Sequence, residues 1–149
     1  MNMQNACIKN AVNLTDFLEN SGLVATLHIL NVSGRQRMLS QRISKLCYFL
    51  LSYAKPEYLS QIQLLKQQFD QALDYLTKAP LSTAMIIADL NIANTEWLSL
   101  KAALDNLQAA DALTVISDAS ENLLDVFERL TDQYEKAMQI LIGDRLVSI

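Results

Sequence analysis

"IIADLNIANTEWLSLKAALDNL", Ile86 to Leu107, sets apolar side chains at Ile86, Leu90, Ala93, Trp97, Leu100, Leu104 and Leu107. The steps alternate between four and three, the period at which one face of an α-helix meets its neighbours. No glycine or proline interrupts it. The preceding segment keeps the same rhythm through Leu59, Ile62, Leu65, Phe69, Leu73 and Leu76. It begins after Lys55-Pro56, where proline suits a first helical turn, and "KAPLS", Lys78 to Ser82, closes it. Together the two segments read as a helical hairpin.

Outward from the hairpin, Ile116, Ala119, Leu123, Val126, Leu130, Tyr134 or Ala137, and Leu141 predict another long helix, ending near Gly143. Acids gather toward its start, where the helix dipole favours them. Upstream, residues 23–54 form a further long helix, and Ala6 to Asn20 a shorter one that breaks at "NSG", Asn20 to Gly22. The fold expected is therefore all-α, an antiparallel four-helix bundle with a short N-terminal helical extension, filling 1–149 as a single domain.

Composition agrees. At 149 residues, 51% of them apolar, the chain can bury a core without disulfides or metal, and three glycines with two prolines leave little punctuation for an all-β fold. A formal charge of −4 argues against nucleic acid or an anionic membrane as partner. The longest apolar run, "LCYFLL" from Leu46 to Leu51, is far short of the roughly 20 residues that span a bilayer. With no signal-peptide pattern at its start, the chain is expected in the cytoplasm, or in the periplasm if it is trimmed from a longer protein. Cys7 and Cys47 match no metal or redox spacing and read as reduced and buried. His28, the only histidine, reads as a structural residue beside the core rather than a catalyst. A phosphotransfer bundle would carry a lysine as well as a glycine after that histidine, and "HILNVSG" has only the glycine. No catalytic set, metal site or cofactor is expected, and the protein is read as not an enzyme.

One segment departs from this acidic background. In "NVSGRQRMLSQRISK", Asn31 to Lys45, three arginines and a lysine occur with no acid between Glu19 and Glu57. On a helix, Val32, Leu39, Ile43, Leu46 and Leu50 form one stripe, the expected core face. Leu30, Gly34, Arg37, Gln41 and Tyr48 lie roughly opposite, with Arg35, Met38 and Arg42 between. An interior glycine costs about 1 kcal/mol against alanine, and close approach of another backbone is the usual gain. A twin helix across a two-fold axis would supply that approach, with Gly34 and Arg37 near the axis. Two Arg37 guanidinium groups about 6 Å apart would repel by roughly 3 kcal/mol at an effective dielectric of 20, and a shared anion reverses the sign. Planar paired donors suit a flat oxyanion such as nitrate or nitrite. The competing reading pairs these arginines with acids of neighbouring helices, such as Glu121, Asp125 or Glu128.

The same residues carry a likeness. The unbroken Gly34-Arg35-Gln36-Arg37-Met38-Leu39-Ser40-Gln41-Arg42 resembles the motif of the PilJ-type sensor domain of type IV pilus chemotaxis transducers, related to nitrate/nitrite sensor-kinase input domains. With Phe69, Leu73, Trp97 and "ENLLDVFERLT", the resemblance covers about residues 25–140. It implies a helical-bundle sensor that forms a homodimer through the motif helix and, in nitrate-sensing members, holds one anion there. Arg37 matches the family's anion ligand, with Gly34 and Ser33 one turn before it. The expected ligand-binding set is thus Arg37, Gly34, Ser33 and Gln41, with Arg35 and Arg42 secondary. The function expected is a small-anion sensor that signals by dimerisation or by docking a downstream signalling protein. The alternative is a ligand-free protein-protein interaction module on the same bundle. A monomer, or an Arg37 neutralised by a carboxylate of its own bundle, would remove the basis of the anion site.

Overall fold

The computed structural model describes residues 3–7, 9 and 22–147. Four long helices follow one another: α1 (Leu23–Tyr53), α2 (Pro56–Lys78), α3 (Ala84–Asp105) and α4 (Ala112–Val147). Residues 3–7 are also helical, while most of the extension expected over Ala6 to Asn20 lies outside the described residues. Short connections, 54–55, 79–83 and 106–111, force each helix to run back along its predecessor.

Local chemistry sets the ends. Gly22, at φ 70°, turns the chain into α1, and Ala54 closes α1 in the same left-handed region at φ 50°, its N–H bonding the Leu50 carbonyl. Pro56 opens α2, where a missing N–H costs nothing. Thr83 caps α3, its hydroxyl accepting from the Ile86 amide at 3.2 Å. At the other end α4 runs through Gly143 to Val147 instead of stopping there. A single glycine weakens a helix by only about 1 kcal/mol, and no proline follows to end it.

The bundle packs α1 between α2 and α4 and α4 between α1 and α3, while α2 and α3 have the slightest contact of any successive pair. Its middle layer is aromatic. Phe69 stacks on Trp97 with centroids 4.1 Å apart and meets Phe127 edge-on at 5.7 Å. The expected seams are buried in α3 from Ile86 to Leu100, in α2 from Ile62 to Leu76 and in α4 from Ile116 to Tyr134; Leu59 is exposed, and Leu104 and Leu107 only partly covered.

In α1 the buried face differs from the expected one. Leu39, Ile43 and Leu46 are buried, but Val32 and Leu50 only flank the core. Instead Thr26, Ser33, Ser40 and Cys47 are buried at seven-residue intervals, as are Ile29, Gln36 and Ile43. This is a two-position heptad whose first position is small throughout. The small side chains let α4 come close, and their hydroxyls find acceptors: Ser33 shares a 2.9 Å hydrogen bond with Thr131, and Ser40 donates to the Arg37 carbonyl at 2.9 Å. Counting only apolar residues therefore turned the helix too far toward α2.

No helix among the described residues is long and apolar enough to cross a membrane.

Candidate functional site

The rotation of α1 decides where the motif residues stand. Ser33 is fully buried and bonded to Thr131, so its hydroxyl faces α4 and not an outer ligand. Gln41, although exposed, sends its Nε2 to the Ser120 carbonyl at 3.1 Å. Arg37 reaches the same helix, its Nη2 lying 3.5 Å from Glu128 Oε1, with the side chains 39% and 65% exposed. Three of the four residues expected to share a ligand thus direct polar groups to the α1–α4 seam. The idea that Arg37 has no acid within reach is corrected: Glu128, one of the acids weighed against it, is its neighbour.

Two features of the expected site persist. Gly34 has nothing within 4 Å of where a Cβ would stand, so that turn of α1 is open. Arg37 is also incompletely matched, because its Nε is buried with no acceptor among the described residues. A lone Nη2 contact at 3.5 Å lies at the limit of a hydrogen bond.

Gln36, the motif residue that sequence reasoning passed over, lies wholly inside. Its Nε2 donates to the Phe69 carbonyl at 3.0 Å, tying α1 to the aromatic layer, while its Oε1 meets no donor among the described residues. The seven-residue recurrence through Ile29 and Ile43 was the signal that could have placed it.

Arg35, Arg42 and Lys45 project outward. Neither Arg35 nor Arg42 makes an ion pair or hydrogen bond among the described residues, and Lys45 sits 5.5 Å from the Phe49 ring centroid. Beside them on the outer surface stand Val24, Leu27, Met38 and Tyr48, from 43% to 55% exposed. His28 belongs here too: it is exposed, edge-on to Tyr75 at 5.0 Å, and not the covered core neighbour that its position suggested. Cys47 is buried as expected, but Cys7 is exposed. Among the described residues no group of His, Cys, Asp or Glu is placed to hold a metal ion.

Residues 25–123 match the family model described as PilJ, type IV pili methyl-accepting chemotaxis transducer N-term. That is well over half of the sequence. The chain belongs to the PilJ family. Comparison with curated proteins and with solved structures gave no match. The PilJ family is one of signalling input regions rather than a catalytic family. Its match takes in nearly all of α1, both hairpin helices and the start of α4, including Ser120. Glu128 and Thr131, which hold Arg37 and Ser33, come after the matched residues. In this PilJ chain the motif helix is thus anchored by a part of α4 beyond the family match.

Proposed function

We propose that this domain is a signal-transduction input module that works as a pair, two copies meeting along the outer face of α1 and passing on their state through that contact. The observation that carries the reading is a surface one: Met38, at the centre of the motif, is 54% exposed, one turn beyond the open backbone at Gly34. An apolar face with a glycine notch suits a close helix pair. On this reading the bundle is the ligand-free interaction module, and its polar motif residues hold α1 to α4.

A second reading keeps the small oxyanion at Arg37 beside Gly34, with Arg35 and Arg42 behind, while Ser33 and Gln41, bonded to α4, support the helix instead of touching the ion. What favours it is the unmatched Arg37 Nε and the length of the Glu128 contact. An exposed ion pair is worth at most about 1 kcal/mol, so an anion drawn by two guanidinium groups could displace it.

Sedimentation equilibrium with and without 5 mM nitrate or nitrite separates the readings. A dimer that ignores both anions, and that Met38→Lys splits, supports the ligand-free pair. A dimer tightened by nitrate, with heat in calorimetry that Arg37→Ala removes, supports the oxyanion site, because a ligand selective for one state must stabilise it. A chain that stays monomeric at 100 µM with and without the anions overturns both.

A further inference from the structure

On the side of α1 turned toward α2 lie two open pockets, one after the other along the same seam, the second of which borders the pairing face at Met38. The first, about 300 Å³, has Arg35 and His28 on the α1 wall and Gln68, Gln71 and Tyr75 on the α2 wall. The next, about 550 Å³, has Arg42 and Lys45 facing Tyr58 and Gln61 over a floor of Leu46 and Phe49, and Met38 and Gln41 line it too. Leu64, 54% exposed, falls on the same α2 stripe between the two. Neither lining contains a carboxylate, in a chain with 16 acids and 12 basic residues. Arg35 and Arg42 are exposed and without an anionic neighbour among the described residues.

We infer that this groove docks an acidic amphipathic helix of a partner protein, its carboxylates set one heptad apart to meet Arg35 and Arg42. The two arginines are seven residues apart on one helix, roughly 10 Å along its axis, which is the repeat of a second helix laid alongside. The apolar floor takes that helix's apolar stripe, and the glutamines of α2 offer hydrogen bonds without opposing its charge. Two open pockets along one helix seam suit a helix better than a small molecule, which needs most of its surface enclosed.

The test uses fluorescein-labelled 24-residue synthetic peptides titrated against the full chain by anisotropy. One is a helix with Leu at heptad positions a and d and Glu at e and g. The second carries Lys in place of every Glu, and the third has the first one's composition scrambled out of register. The Glu helix is expected to bind at least tenfold more tightly than either control, to weaken as salt rises, and to lose at least tenfold on Arg35→Ala with Arg42→Ala. Both arginines are exposed and unpaired among the described residues, so the double variant should melt like the parent, and its sedimentation, run alongside, distinguishes loss of this groove from loss of the pair. Equal binding of the Glu and Lys helices, no binding of the Glu helix, or indifference to the double substitution overturns the inference. So does charge-dependent capture by phosphatidylserine vesicles with no peptide binding.

Discussion

Gln36 places an amide inside the bundle, donating to the Phe69 backbone carbonyl while its own oxygen goes without a donor among the described residues. A buried acceptor left unmatched costs about 1–3 kcal/mol, more than one neutral hydrogen bond returns. Gln36→Leu, of similar volume, should therefore stabilise the bundle by about 1 kcal/mol in urea denaturation. A loss of that size would mean that the oxygen has a partner in solution. Cys47 offers a second residue-scale test. Burial pushes its thiol up to about 12, and the thiolate is the reactive species. With a disulfide thiol reagent at pH 8, one thiol per chain, Cys7, should react at once and Cys47 only as the chain unfolds. Immediate reaction of both would contradict the burial of Cys47 in the core.

Among the elements, α1 ends in the way that is most open to improvement. Ala54 occupies left-handed backbone, which costs an L-residue with a side chain roughly 1–2 kcal/mol and glycine nothing. Part of that gain is offset by glycine's greater freedom in the unfolded chain, so Ala54→Gly should stabilise by about 0.5–1 kcal/mol. Ala54→Val should destabilise, and thermal melts of the pair check both. The same helix shows how faces are chosen. Serine and threonine score as surface residues in any hydropathy count, yet Thr26, Ser33 and Ser40 are among its most buried positions. Small volume and a hydroxyl that can bond inward suit a close helix contact better than another leucine would.

Across the whole molecule, the least-packed seam, between α2 and α3, is held by a polar cluster. Asp70 accepts from Trp97 Nε1 at 2.7 Å and from Lys101 at 2.9 Å. Burial alone would raise its carboxyl, but the hydrogen bonds from Trp97 and Lys101, with the charges of Lys101 and Lys66, hold it below the usual carboxylate value. A folded value below the unfolded one, about 3.9, means that Asp70 contributes stability above that pH and loses it as pH falls through the depressed value. Urea midpoints, followed by fluorescence of the single tryptophan, should drop between pH 5 and pH 2, and less so in Asp70→Asn. Equal slopes would remove Asp70 from the acid response. The effect should be modest, because the side chain is 45% exposed.

What the sequence determined by itself was the number and order of the long helices, and with them an antiparallel bundle. Hydrophobic period, the Lys55-Pro56 start and the short connections are local properties that a chain carries before it folds. The helix rotation about its own axis was not local. Whether Arg37 stands bare or beside Glu128, 91 residues away, depends on which side of α1 meets α4, and small polar side chains settle that through close packing. Tertiary structure alone therefore turned Ser33 and Gln41 to α4, set Gln36 on the Phe69 carbonyl, and left Arg35 and Arg42 beside pockets without an acid. The physical reason is that a face is chosen by the joint fit of two helices, which neither helix encodes separately.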